Sequence, residues 1–218
     1  MRNVEQMPAA LKIVSNVGIL PVIAVPALES AVSLADALVK GGVNVIEVTL
    51  RNPWAVESIS RIRQAHPDIA IGAGTILETR QIAEAREAGA DFLVTPGLDA
   101  EIVADAREAG LPIVPGVTNP TEIATAVKLG LTTLKFFPAE ISGGVSALTL
   151  YHGPFPDVSF VPTGGMTMDN IGSYLTQSFV AACGGSFMAK GDDIKAGAWE
   201  KISENCRKCI EIVREARS

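Results

Sequence analysis

A single lysine, Lys135, lies inside the apolar run Thr132-Thr133-Leu134-Lys135-Phe136-Phe137-Pro138, whose length and boundaries read as a buried parallel strand. Lysine is rarely buried without a task, because desolvation disfavours the ammonium and pulls its pKa toward the range where a neutral, nucleophilic amine exists. Such an amine attacks carbonyl carbon and forms a Schiff base. On this stretch alone the alternative stays open that Lys135 sits at a strand end and snorkels to solvent or pairs with a carboxylate. A carboxylate of the right kind occurs in Val43-Asn44-Val45-Ile46-Glu47-Val48-Thr49-Leu50-Arg51. Period-two alternation puts Val45, Glu47, Thr49 and Arg51 on one face of that strand and turns Val48 and Leu50 toward helices. A carboxylate at mid-strand is costly unless it is paired or protonated. Glu47 and Lys135 in one interior therefore answer each other, either as general acid/base and nucleophile or as an ion pair that only holds the fold together.

A second set of residues suits anion binding. Gly72-Ala73-Gly74-Thr75, Thr95-Pro96-Gly97 and Pro115-Gly116-Val117-Thr118 end three further apolar runs, and Pro162-Thr163-Gly164-Gly165 and Gly184-Gly185-Ser186 end two more. Glycine at such ends lets backbone N–H groups approach a bound anion closely. The last two, with the Ser186 hydroxyl and a short helical stretch after it, read as a phosphate cradle; tight turns are the plain alternative.

The elements that must position these residues repeat one module. Short apolar runs cover Ile19 to Val25, Val43 to Leu50, Ile69 to Ala73, Phe92 to Thr95, Pro112 to Val114, Thr133 to Phe137, Ser159 to Val161 and Phe179 to Cys183. Amphipathic segments alternate with them. Val32, Ala35 and Val39 share a face before Gly41, and Asn52-Pro53 offers an N-cap and a first-turn proline ahead of Val56, Ile59 and Ile62. Ala85-Arg86-Glu87-Ala88-Gly89 leading to Val94-Thr95-Pro96-Gly97 is echoed by Ala106-Arg107-Glu108-Ala109-Gly110 leading to Val114-Pro115-Gly116. Strand centres fall 20 to 26 residues apart, a spacing for βα units with short connections. Eight such units predict an α/β chain folded as a single (β/α)8 TIM barrel over residues 1–218, with a lead-in over about 1–17 and a covering helix over about 199–216. An open doubly wound sheet would carry a G-x-G-x-x-G turn after the first strand, and none follows Val25. In a barrel the chemistry gathers at the carboxyl ends of the strands, with phosphate between the last two loops.

Composition excludes several classes. Of the 218 residues 48% are hydrophobic and 19% charged, with a net charge of −6, which suits a large core and argues against a nucleic-acid or anionic-membrane surface. The longest uncharged stretch, Asn170 to Ala189, is too polar for a membrane span, and the apolar residues from Ile13 are broken by Ser15, Asn16, Gly18 and Pro21 rather than forming a signal peptide. The expected location is cytoplasmic. Three cysteines agree with a reducing compartment. Cys206 and Cys209 form a C-x-x-C in a helical pattern, but with no second pair and only His66 and His152, both away from the strand ends, they read as packing residues and no metal is expected.

With these residues in order, the sequence resembles the 2-keto-3-deoxy-6-phosphogluconate (KDPG) and 4-hydroxy-2-oxoglutarate (KHG) aldolases, class I pyruvate-dependent lyases. The likeness runs from about Leu11 onward. It rests on Glu47 followed by Val48-Thr49-Leu50-Arg51, on Gly72-Ala73-Gly74-Thr75, Pro96-Gly97 and Lys135-Phe136-Phe137-Pro138-Ala139-Glu140, and on Pro162-Thr163-Gly164-Gly165 and Gly184-Gly185-Ser186. The resemblance implies that Lys135 is the Schiff-base lysine and Glu47 the general acid/base, and that Arg51 and Thr75 hold the pyruvate carboxylate. It implies that Pro96, Phe137 and Thr163 lie beside the substrate and that Gly164, Gly165, Gly184, Gly185 and Ser186 receive the phosphate. It also implies no cofactor, keto-acid and sugar-phosphate substrates, and a homotrimer. One departure stands out, since many relatives carry a basic residue at the end of strand one and Val25-Pro26-Ala27 offers none. A galactonate-derived substrate, a non-covalent isomerase or epimerase using Glu47 and Lys135 on the same barrel, a metal-dependent aldolase and a non-enzymatic sugar-phosphate binder are the competing readings.

Overall fold

Among the described residues the strands pair only in parallel, as expected of apolar runs joined by helical crossovers. The structure, a computed structural model, describes residues 7–218. Its strands are β1 (Ile19–Ile23), β2 (Val45–Thr49), β3 (Ala70–Gly74), β4 (Phe92–Val94), β5 (Ile113–Val114), β6 (Gly116–Val117), β7 (Thr133–Phe136), β8 (Ser159–Pro162) and β9 (Cys183–Gly185). Six form one curled sheet in the order β5-β4-β3-β2-β1-β9, and three form another in the order β6-β7-β8. Only Pro115 separates β5 from β6, and its carbonyl accepts from the Lys135 N–H at 2.9 Å. Parallel bridges join Phe160 to Val180 and Thr163 to Gly184, linking β8 to the segment that becomes β9.

The helices are α1 (Ala9–Val17), α2 (Ser30–Lys40), α3 (Ala55–Ala65), α4 (Arg80–Glu87), α5 (Ala100–Glu108), α6 (Pro120–Lys128), α7 (Gly144–His152), α8 (Ile171–Leu175), α9 (Gly191–Lys195) and α10 (Trp199–Arg217). Local signals set several of their starts. Asp99 accepts from the N–H groups of Glu101 and Ile102 ahead of α5, and Asn119 accepts from that of Glu122 with Pro120 in the first turn of α6. The covering helix appears as α10, burying Ile202, Ser203, Cys206, Cys209 and Val213 against α2 and α8. Burial pushes the Cys206 and Cys209 thiols up to about 12, so both remain protonated packing residues at neutral pH. Among the described residues no helix is long and apolar enough to cross a membrane.

Four local expectations change. The lead-in contains a helix, α1, whose Leu11 and Val14 are buried beneath the strands; residues 1–6 of that lead-in lie outside the described residues. Asn52 does not cap α3, which begins at Ala55; its side chain donates instead to the Val25 carbonyl at 2.9 Å, joined there by Trp54 Nε1 at 2.7 Å. The expected fifth strand, Pro112 to Val114, is present as β5, but Gly116 and Val117 beyond Pro115, expected as a rim turn, pair with β7 as the separate strand β6. The expected eighth strand over Phe179 to Cys183 begins instead at Cys183, so that Gly184 and Gly185 are strand residues paired with Leu20 and Pro21 rather than a rim turn.

Candidate active site

Lys135 and Glu47 meet across the interior. Register sets the pair: Glu47 lies beside Val22 of β1 and Gly72 of β3, while Lys135 lies beside Gly116 of β6 and Val161 of β8. Glu47 is 1% exposed and Lys135 7%. Lys135 Nζ donates to Glu47 Oε1 at 3.4 Å and stands 5.3 Å from the centre of the Phe137 ring. Below them a cavity of about 10 Å3 is lined by side chains of both sheets together with Leu11 and Val14 of α1. It is no larger than one water requires. The amine and carboxylate are thus closed off on the α1 side.

The carboxylate carries an unpaid desolvation. Glu47 Oε2 is buried without a hydrogen-bond partner among the described residues. Burial raises the Glu47 pKa above the usual carboxylate value, while the Lys135 ammonium and, more weakly, the Arg51 guanidinium pull it down. A carboxyl that holds its proton more tightly than an exposed one, beside an amine, is placed for proton exchange in both directions.

Arg51 follows β2 and is exposed at the rim. Its Nε donates to Thr49 Oγ1 at 3.0 Å, and the Thr49 hydroxyl donates in turn to the Ile23 carbonyl at 3.3 Å. The Nη1 and Nη2 groups make no hydrogen bond among the described residues, so the outer edge of the guanidinium presents paired donors to a carboxylate. Thr75, just beyond β3, has φ of 62°, a costly conformation for a β-branched residue and one found mainly where surroundings impose it. Pro96, after β4, puts its carbonyl where a Cβ on Gly116 would be 2.1 Å away, so the loops after β4 and β5 close only on glycine.

The phosphate-type elements come together in part. Thr163 is buried, and a Cβ on Gly184 would lie 2.3 Å from its Oγ1. Gly164 and Gly165 have φ of 97° and 83°, and Gly165 rests on the Glu140 side chain, which Tyr174 holds by a hydrogen bond. Ser186 is exposed and shares an open groove with Met166 and Thr167, which brings together the loops after β8 and β9. The short helix expected directly after Ser186 begins only at Gly191, following a turn in which the Ala189 N–H donates to the Ser186 carbonyl at 3.1 Å. Gly185 is the last residue of β9, where an added Cβ would lie 2.9 Å from Cδ1 of Phe187. The histidines are engaged elsewhere, His66 with Asp36 at 2.8 Å and His152 stacked on Phe179. Reading the sequence missed Thr49 as the anchor of Arg51, although its place on the Glu47 face was visible.

A parallel α/β protein with a buried lysine and carboxylate at mid-strand and an arginine at the rim has the groups that an enzyme acting on carbonyl compounds through an amine requires. The sequence profile of the family described as KDPG and KHG aldolase matches residues 11–205. The KHG/KDPG aldolase of Escherichia coli K12 is 42% identical over 203 residues, covering 93% of this chain and 95% of that one. The chain belongs to the KDPG and KHG aldolase family. The KDPG aldolase of Legionella pneumophila, solved with pyruvate captured as a covalent carbinolamine intermediate, superposes with a TM-score of 0.89 at 36% identity, covering 92% of this chain and 97% of that one. The KDPG aldolase of Zymomonas mobilis solved with 3-phosphoglycerate does so with a TM-score of 0.84 at 35% identity, over 92% and 94%.

Proposed function

We propose that this protein is a class I aldolase that reversibly cleaves KDPG to pyruvate and glyceraldehyde 3-phosphate, and KHG to pyruvate and glyoxylate. The observation that carries the reading is the buried contact of Lys135 Nζ with Glu47 Oε1 in a member of this family. The neutral Lys135 amine adds to the C2 ketone to give a carbinolamine. Glu47 protonates its hydroxyl, water leaves, and the protonated imine forms. That imine draws electrons from the C3–C4 bond. The Glu47 carboxylate takes the C4 hydroxyl proton as the bond breaks, releasing the aldehyde and leaving a pyruvate enamine. Protonation at C3 and hydrolysis free pyruvate and restore the amine.

Arg51 and Thr75 hold the keto-acid carboxylate, so that the ketone carbon faces Lys135, with Phe137 and Pro96 against the substrate. Thr163, Gly164, Gly165, Gly184, Gly185 and Ser186 face the phosphorylated end. Binding of pyruvate and 3-phosphoglycerate by the Legionella and Zymomonas relatives supports these two ends of the site. No cofactor enters the scheme. In the same proposal the two sheets form one closed (β/α)8 barrel, with β5 and β6 as a single strand interrupted at Pro115 and β8 joined to β9; the bridges and the shared interior cavity support it. A homotrimer and a cytoplasmic location complete it, the first checked by light scattering.

Borohydride reduction in the presence of pyruvate tests the covalent step. The expected result is a stable pyruvyl adduct on Lys135 by intact mass and peptide mapping. No adduct, or one elsewhere, would overturn the assignment and revive the non-covalent isomerase.

A further inference from the structure

Three consecutive peptide groups in the turn after β8 have pinned carbonyls and unengaged N–H groups. The Thr163 carbonyl accepts from the Ala139 N–H at 2.8 Å, and the Gly164 carbonyl from the Glu140 N–H at 3.1 Å. The Gly165 carbonyl accepts from Asn170 Nδ2 at 3.0 Å. These peptides are trans, and in a trans peptide the carbonyl and the following N–H point to opposite sides of the chain. Pinning the three carbonyls therefore aims the N–H groups of Gly164, Gly165 and Met166 away from their anchors. Among the described residues none of those three N–H groups donates a hydrogen bond. With positive φ at both glycines, the turn offers three consecutive free donors of the kind that can hold an anion.

Two of the anchors are backbone groups on the loop after β7. The third is a side chain, and its orientation is itself fixed: Asn170 Oδ1 accepts from the Thr167 N–H at 2.8 Å, which leaves Nδ2 as the donor for Gly165. We infer that Asn170 is a positioning residue for phosphate recognition, holding the Gly165 carbonyl so that the Met166 N–H joins those of Gly164 and Gly165 as a third donor to a phosphate monoester dianion. The inference rests on the reading of this turn as part of the phosphate cradle. Asn170 makes no contact with substrate in this scheme; it acts through the peptide plane it holds.

Asn170→Asp keeps an acceptor for the Thr167 N–H and replaces the donor to Gly165 with a second acceptor. Asn170→Ser is too short to reach Gly165 and adds no charge, so it separates the lost donor from the added anion and serves if the aspartate variant does not fold. kcat/KM is measured for KDPG and for KHG, which lacks the phosphate, in both variants, the wild type and Ser186→Ala. The expected result is a fall of about tenfold in the KDPG-to-KHG ratio in both Asn170 variants, carried mainly by KM for KDPG. Equal losses on the two substrates would mean a merely structural residue and would overturn the inference. A ratio within twofold of wild type at Asn170, with a lowered ratio in Ser186→Ala, would remove Asn170 while leaving the cradle standing. Unmoved ratios in all variants would remove the cradle and the inference with it.

Discussion

A Cβ on Gly74 would lie 2.2 Å from Oε1 of Glu47 and 2.7 Å from its Cδ, so the carboxylate occupies space that any other residue at 74 would fill. Strand β3 runs beside β2 with Gly74 opposite Thr49, and the missing side chain is what lets Glu47 turn toward Lys135. The glycine is thus part of the placement of the Glu47 carboxylate, separate from any part its backbone plays at the rim.

Gly74→Ala is accordingly expected to displace the Glu47 carboxylate and lower kcat by about a hundredfold, the scale at which misplacement of about 1 Å acts. Steady-state kinetics with both substrates checks this. A kcat near that of the wild type would mean that the carboxylate has room to move.

Lys135→Arg keeps a cation but has no amine that can deprotonate, so turnover and borohydride trapping are both expected to disappear while the circular dichroism spectrum stays that of the wild type. Glu47→Gln keeps shape but exchanges no proton, and kcat is expected to fall about a hundredfold or more. Near-normal turnover in Glu47→Gln would reduce Glu47 to the buried partner of Lys135.

The pH dependence follows from the direction of the Glu47 shift. Burial raises its pKa from the ordinary 4.5, so the carboxylate proposed to accept the C4 hydroxyl proton exists only above a higher pH than an exposed glutamate would require. The acid limb of kcat/KM is expected above the normal carboxylate range and to be absent in Glu47→Gln. Stability has the opposite sense. A raised folded-state pKa contributes stability that is complete below the unfolded value of 4.5 and is lost as pH rises through the folded value. The melting temperature of Glu47→Gln relative to wild type should therefore improve as pH rises through that window, and a constant difference would contradict the buried, proton-retaining carboxyl.

Substrate preference turns on the end of β1, where Ala24, Val25, Pro26 and Ala27 supply no cation. In the proposed site, backbone donors and the Ser186 hydroxyl carry phosphate recognition without a charge-assisted contact of about 1.5 to 3 kcal/mol. KDPG is expected to remain the better substrate, with appreciable activity on KHG. Ala27→Lys is expected to raise the kcat/KM ratio in favour of KDPG, and competition assays with both substrates read it directly.

The sequence by itself determined which side chains the interior must reconcile. Strand alternation is a local rule, so Glu47 and Thr49 could be placed on one face from spacing alone, and a lysine among Leu134, Phe136 and Phe137 marked a candidate for desolvation, which the burial of Lys135 at 7% exposure then decided. The repeat of apolar runs and amphipathic segments likewise foretold parallel βα units, and the apolar stripe of α10 foretold its buried side. Periodicity carries no information about which neighbour a polar group chooses. Asn52 looked like a helix cap and serves the Val25 carbonyl; Thr49 anchors Arg51; Asn170 holds Gly165. The left-handed backbone of Thr75 is equally invisible in its residue type. Gly184 was legible as a glycine but not as a strand residue, because its need for no side chain comes from Thr163 Oγ1 just beyond β8. Only the tertiary structure decided these points, since hydrogen-bond partners and close approaches depend on the register and packing of elements far apart in the chain, whereas burial pattern is written residue by residue.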